Sequence, residues 1–276
     1  MPRVLNIAHA GARSLAPENT VAAANKAQEV GADMWELDVA VTSDHELILF
    51  HDDSLARTTN AGAVFPNRAP WTFSTFALDE IRTLDAGSWF VETDPFGEIA
   101  AGRVSKAELV SYRGERVPTL REALLFTKKH HYRVNVELKP LPAPLESFAV
   151  VPPVLALIDQ LGMAEDVVIS SFNHAWLLQV EHEWPELTVE SLIGWPRNKP
   201  LEWDNFHFKT YNASATRLEL AQIHMLREKG LEINVYTVNG EQEMRRFIAA
   251  GVTGLFTDFH SGSRRFFMRT RNKQTV

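Results

Sequence analysis

Met34-Trp35-Glu36-Leu37-Asp38-Val39-Ala40-Val41 runs into Thr42-Ser43-Asp44-His45 and then Glu46-Leu47-Ile48-Leu49-Phe50-His51. The first stretch alternates as a strand does, so Glu36 and Asp38 share one face while Trp35, Leu37 and Val39 share the other. The link 42–45 is too short for a crossover helix, which makes 46–51 the antiparallel arm of a hairpin. Elsewhere the rhythm differs. Strand patterns at 4–9, 34–41, 133–139, 167–171, 188–193, 206–208, 231–237 and 252–257 are mostly separated by helical ones, at 20–30, 120–130, 154–161, 174–183, 218–229 and 241–250. Gly31, Gly162, Gly230 and Gly251 stand where left-handed C-caps close such helices. Strands alternating with helices pair in parallel through right-handed crossovers.

Eight such strands close a ring without edges, the TIM (β/α)8 barrel, and the 276 residues fit one barrel of about 250 residues with an insertion. No Gly-x-Gly-x-x-Gly loop follows a strand, which weakens the competing open nucleotide-binding sheet. The expected organisation is one domain over 1–276, with a capping insertion at about 53–116 after the hairpin in the second βα unit. That stretch holds eight of the 27 aromatic residues: Phe65, Trp71, Phe73, Phe76, Trp89, Phe90, Phe96 and Tyr112. It reads either as a cap over the strand C-termini or as an aromatic mini-core of its own.

A hydrophobic fraction of 45% with 23% charged residues is globular and excludes disorder, coiled coil and collagen. The net charge of -7 argues against a nucleic-acid partner. No apolar run approaches the ~20 residues of a membrane span, so no stable membrane insertion is expected. The absence of cysteine excludes disulfides and thiolate metal sites. The N-terminal residues lack the long apolar stretch of a secretory signal, and the cytoplasm is the expected compartment. Homo-oligomerisation is left open. The tail carries Arg264, Arg265, Arg269, Arg271 and Lys273, and reads as a solvated or oligomer-packing segment rather than a lipid-binding one. The Pro152-Pro153 pair and 195–200 read as loops.

The chemistry lies on the polar strand faces. In Val134-Asn135-Val136-Glu137-Leu138-Lys139-Pro140, Glu137 and Lys139 share a face opposite Val136 and Leu138. The apolar faces must meet helices, so Glu36, Asp38 and Glu137 point into the barrel. Three buried carboxylates repel one another and resist desolvation, and a hard divalent cation with oxygen ligands neutralises them more completely than one lysine. His9 and His51 end strands that open on the same mouth, where two histidines suit general acid and base roles in phosphoryl transfer.

An ordered set of segments extends this reading. It comprises His9-Ala10-Gly11, Ala16-Pro17-Glu18-Asn19-Thr20, Glu36-Leu37-Asp38-Val39, Leu49-Phe50-His51-Asp52-Asp53 and Leu55-Ala56-Arg57-Thr58-Thr59-Asn60. It continues through Leu84-Asp85-Ala86-Gly87-Ser88-Trp89-Phe90, Val117-Pro118-Thr119-Leu120, Val136-Glu137-Leu138-Lys139, Ser170-Ser171-Phe172, Thr237-Val238-Asn239 and Gly254-Leu255-Phe256-Thr257-Asp258. The set resembles the glycerophosphodiester phosphodiesterase family over nearly the whole chain. The resemblance implies a phosphodiesterase barrel with a divalent metal, Mg2+ or Ca2+, held by Glu36, Asp38 and Glu137. It implies His9 and His51 as the acid–base pair, Lys139 on the phosphate, and Phe172 and Tyr236 on the substrate. The implied substrate is a small glycerophosphodiester, released as glycerol 3-phosphate and an alcohol.

Ala10 stands where the family normally has an arginine, and losing that charge-assisted contact costs on the order of 2–3 kcal/mol of transition-state stabilisation. Arg13, three residues on, is the expected replacement. The departure keeps two alternatives open: a bulkier substrate, as in a lysophospholipase D-like or sugar-phosphodiester hydrolase, and a barrel that binds a phosphate ester without turning it over.

Overall fold

Alternation along 34–41 becomes a barrel wall in the computed structural model, which describes residues 3–196 and 200–259. The strands are β1 (Leu5–Ala8), β2 (Met34–Val41), β3 (Leu47–Leu49), β4 (Val134–Leu138), β5 (Val167–Ser171), β6 (Thr188–Ile193), β7 (Thr210–Ser214), β8 (Glu232–Tyr236) and β9 (Gly254–Thr257). Eight of them pair in parallel, and β1 closes the ring by pairing with both β2 and β9. β3 lies antiparallel on β2, with Ala40 opposite Ile48, as the short link requires. The basic residues 264–273 fall outside the described residues. Among the described residues no helix is long and apolar enough to cross a membrane.

The helices begin and end where local chemistry directs. They are α1 (Val21–Glu29), α2 (Ala61–Val64), α3 (Leu78–Ile81), α4 (Ser88–Thr93), α5 (Lys106–Tyr112), α6 (Leu120–Lys129), α7 (Val151–Leu161), α8 (His174–Glu183), α9 (Leu220–Glu228) and α10 (Glu241–Ala250). Thr119 and Glu122 form a reciprocal capping box on α6, with bonds of 3.1 and 2.8 Å. α7 starts earlier than its apolar pattern suggests. Pro152 and Pro153 occupy its first turn, where a missing N–H breaks no helical bond, and Gly162 ends it at φ 59°. Trp35 on the outer face of β2 is fully buried and donates its indole N–H to Thr127 of α6 at 3.0 Å.

The segment between the hairpin and α6 carries α2 to α5. Its aromatic residues go two ways. Phe73 and Phe76 are buried in the main core with Phe65 and Trp71 packed against it. Phe90 and Tyr112 join Leu15, Ala16, Ala23 and Val104 in a separate cluster.

One strand lies elsewhere than expected. The aromatic run 206–208 is not a strand: Asp204, Asn205 and Phe206 have left-handed backbones, at φ 44°, 51° and 62°. The sixth strand of the barrel is β7, four residues further on. Its hydrophobic signal is weak because Thr210, Asn212 and Ser214 alternate with Tyr211 and Ala213, and Asn212 belongs to a polar network inside the barrel. There Glu190 Oε2 accepts from Asn135 Nδ2 at 3.0 Å and Asn212 Nδ2 at 2.9 Å, while Asn234 donates to Asn212 at 2.9 Å. All four residues are buried.

Burial raises the Glu190 carboxyl above its ordinary range, although its asparagine partners oppose the shift. The folded state therefore holds this proton more tightly than the unfolded chain, whose glutamates titrate at about 4.3, and Glu190 lowers stability as pH rises past that value. Glu190→Gln should gain stability over the parent protein as pH increases, by more at about pH 8 than at about pH 5. Urea midpoints at the two pH values measure this; a pH-independent difference would refute it.

Candidate active site

Parallel strands all deliver their C-terminal ends to one mouth, and a cavity of about 640 Å³ opens there. His9, Glu36, Asp38, His51, Glu137 and Lys139 line one side. Pairing of Asp38 with Glu137 across β2 and β4 puts their side chains on the same inward face, and Glu36 sits one step below on β2. Carboxylate oxygens of Glu36, Asp38 and Glu137 lie within 4.8 Å of one another. Two oxygens on one Mg2+ or Ca2+, each at roughly 2.0–2.6 Å, stand no farther apart than about 5 Å, so this all-oxygen set fits a hard divalent cation.

The loop after β1 shapes the floor. Ala10 is fully buried at φ 51° and donates its N–H to Glu36 Oε2 at 2.7 Å. Gly11 follows at φ 78°, where a Cβ would meet the Ala23 Cβ at 2.6 Å and its backbone carbon at 2.8 Å, so only glycine fits beneath α1. Asn19 clamps Asp38 from both ends: its Nδ2 donates to Oδ2 at 2.8 Å and its Oδ1 accepts the Asp38 N–H at 3.0 Å.

Electrostatics separates the three carboxyls. Burial, then the charges of Asp38 and Glu137, pushes Glu36 well above its ordinary value. Burial and Asp38 raise Glu137 to about 7. Burial acts on Asp38 in the same sense, yet Lys139, His51, Asn19 and His9 together hold it well below the carboxylate range. The Lys139 ammonium lies 3.1 Å from Asp38 Oδ1 and donates to the His51 carbonyl at 2.9 Å. One cation is too few for three inward carboxyls, and the other two are left with a raised affinity for a proton.

Each histidine is held by an aspartate. His9 Nδ1 lies 2.8 Å from Asp258 Oδ1, and His51 Nδ1 lies 2.7 Å from Asp52 Oδ1. Asp38, then the bond to Asp52, raises the His51 imidazole above its ordinary value. Arg57 contacts Asp52 through both Nε, at 2.5 Å, and Nη2, at 3.0 Å. Its Nη2 also reaches Glu18 Oε1 at 2.5 Å.

The structure thus brings His9, His51, Glu36, Asp38, Glu137 and Lys139 to one place, with Phe172 and Tyr236 across the cavity at 6.1 Å between ring centroids. Tyr236 donates its hydroxyl to the Ile193 carbonyl at 2.7 Å. Arg13 lies elsewhere. Its guanidinium is 3.1 Å from Glu18 Oε2 and 3.7 Å from Asp258 Oδ1, against Phe96, and it is absent from the cavity wall. From 53–116 the wall takes Asp53, and its aromatic side comes from Phe172, Trp195, Tyr236 and Phe256. The roles of Asn19, Asp52 and Asp258 do not follow from strand periodicity. The adjacent His51-Asp52 pair and a carboxylate just beyond the last strand were the available signals.

Residues 9–261 match the glycerophosphoryl diester phosphodiesterase family. The chain is 33% identical over 264 residues to a glycerophosphodiester phosphodiesterase of Bacillus subtilis, covering 93% of this chain and 84% of that protein. With a glycerophosphodiester phosphodiesterase of Caldanaerobacter subterraneus it shares 31% over 266 residues, 93% of this chain and 94% of the relative. The solved structure of an Oleispira antarctica phosphodiesterase in complex with the product sn-glycerol-3-phosphate has the same fold, at TM-score 0.75 and 24% identity, over 98% of this chain and 97% of that one. Match, barrel and mouth agree, and the chain belongs to the glycerophosphoryl diester phosphodiesterase family.

Proposed function

We propose that this protein hydrolyses glycerophosphodiesters to glycerol 3-phosphate and an alcohol, in a cation-dependent reaction with His9 and His51 as the acid–base pair. The observation that carries this is the placement of two aspartate-held histidines beside a cluster of three inward carboxylates in one cavity. Glu36, Asp38 and Glu137 would hold the divalent ion, which when bound supplies Lewis-acid charge to the phosphate oxygens. Lys139, tethered by Asp38 and the His51 carbonyl, adds a fixed positive charge for the phosphate. Each aspartate accepts an Nδ1–H, which leaves the Nε2 of each imidazole to exchange a proton with the substrate. One histidine takes the proton of the attacking hydroxyl, from water directly or from a neighbouring substrate hydroxyl, in which case the cyclic phosphate formed is opened by water in a second step to give glycerol 3-phosphate. As the P–O bond breaks, the other protonates the departing alcohol. A barrel that only binds its ligand has no use for such a pair.

Replacing His9 or His51 by alanine should each lower kcat by roughly 100-fold or more. Release of glycerol 3-phosphate in a coupled assay measures it, and near-parental turnover by either variant would overturn the acid–base assignment.

Cation binding must displace the proton that Glu137 holds up to about 7. Affinity for Mg2+ or Ca2+ should therefore strengthen between about pH 6 and about pH 8, and Glu137→Gln should weaken it at every pH in that range. Titration calorimetry reads both; unchanged affinity in the variant would remove Glu137 from the ligand set.

A second reading, a bulkier alcohol group, is favoured by the apolar side of the cavity. Phe172, Leu192, Tyr236 and Phe256 line it, and Trp195 stands 65% exposed at its rim. Lysophosphatidylcholine should then be cleaved at a rate comparable with glycerophosphocholine; cleavage of glycerophosphocholine alone excludes this reading.

A further inference from the structure

Two arginines near the mouth, Arg13 and Arg57, do not line its cavity. Both are turned onto Glu18, a carboxylate with a side chain only 3% exposed and no place among the cation-binding residues. Its two oxygens are divided between them: Oε1 accepts a hydrogen bond from Arg57 Nη2 at 2.5 Å, while Oε2 pairs with Arg13 Nη2 at 3.1 Å by charge alone, neither Oε2 nor Arg13 Nε having a hydrogen-bond partner among the described residues. Beyond Arg13 stands Asp258, at 3.7 Å, and beyond Asp258 stands His9. Beyond Arg57 stands Asp52, and beyond Asp52 stands His51. Groups of alternating sign therefore run from one histidine to the other, with Glu18 at the midpoint.

We propose that Glu18 is a positioning residue that couples the two histidines, fixing both imidazoles through the two guanidiniums it holds. The inference rests on the acid–base reading of His9 and His51. A carboxylate shared by two arginines sets the separation of both, and each arginine then limits where its aspartate can lie. An aspartate fixed in this way holds its imidazole's Nδ1 and so aims Nε2. Charge counting gives the arrangement a further property. Three carboxylates face two guanidiniums, which leaves the chain one negative charge and room to balance one imidazolium. A reaction that takes a proton on one histidine while giving one from the other keeps that number constant.

The loop that carries Glu18 also carries Asn19, which clamps Asp38, and Thr20, which caps α1 by accepting the Ala23 N–H at 3.1 Å. One short segment thus orients the cation cluster, through Asn19, separately from the histidine pair, through Glu18. Effects on cation binding and on proton transfer can accordingly be told apart.

Glu18→Gln keeps the shape and removes the charge. It should lower kcat on glycerophosphocholine by roughly 10–100-fold, the usual cost of losing an orienting partner, with KM and calorimetric Mg2+ affinity unchanged within about twofold. Arg57→Lys, at a half-exposed position, has only one ammonium for Glu18 and Asp52 together and should lower kcat in the same way. In the parent protein, Asp52→Asn and Asp258→Asn should act non-additively on kcat; in the Glu18→Gln background their effects should add. Parental kcat in Glu18→Gln, or additivity in both backgrounds, overturns the proposal. So does a loss that appears in Mg2+ affinity and Tm together, which marks a merely structural residue. If Glu18→Gln fails to fold, Arg57→Lys and the cycle in the parent protein decide. His9→Ala and His51→Ala assayed in parallel separate the two ideas. Activity retained in either variant removes the acid–base reading, whereas its loss beside parental turnover in Glu18→Gln removes only the coupling.

Discussion

Mutual repulsion among buried Glu36 and Asp38 and half-buried Glu137, on two paired strands, is the constraint around which the mouth of this barrel is built. Parallel pairing of β2 with β4 leaves the three carboxyls no way to separate, because register sets Asp38 beside Glu137. The surroundings answer with donors and charge. The Ala10 N–H meets Glu36, Asn19 meets Asp38 twice, and Lys139 lies between Asp38 and the hairpin. Burial still outweighs these partners at Glu36 and Glu137, whose carboxyls are raised. A site of this kind has a free-energy gradient toward taking up a cation.

The loop between β1 and α1 carries much of the answer. Its tight path, with positive φ at Ala10, Gly11 and Asn19, turns backbone and side-chain donors toward the carboxylates. The same path buries the Ala10 side chain and directs the Arg13 guanidinium onto Glu18 and Asp258. Position 10 therefore offers no cation to a phosphate. Lys139, unlike Arg13, stands on the cavity wall and can meet a phosphate.

Below the mouth the barrel interior is polar in a different manner. Asn135, Glu190, Asn212 and Asn234 satisfy one another without a cation, whereas an apolar group of Ile7, Met34, Val168 and Phe256 fills neighbouring space. A fully satisfied network of this type specifies register, since a shift by one residue would bury its members against helices. It also hides a strand from sequence reading. Thr210–Ser214 lacks an apolar inner face because its inner face bonds to this network, and the neighbouring aromatic run at 206–208 mimics the missing signal.

By itself the sequence determined the barrel and the membership of the cluster, because both follow from local periodicity. Period-2 alternation decides which residues of 34–41 and 134–139 point inward, and a four-residue link can only make a hairpin. Strand ends likewise carry His9 and His51 to one mouth. What tertiary structure alone decided is which groups meet across long separations. Asp258 stands against His9 across 249 residues, and Arg57 reaches Glu18 across 39. Local spacing can place a carboxylate at a strand end but cannot name its partner, because such pairs form only when ring closure brings β9 beside β1 and the hairpin beside the first loop. The direction of Arg13 was equally invisible, since a long flexible side chain goes where buried carboxylates offer it the best compensation.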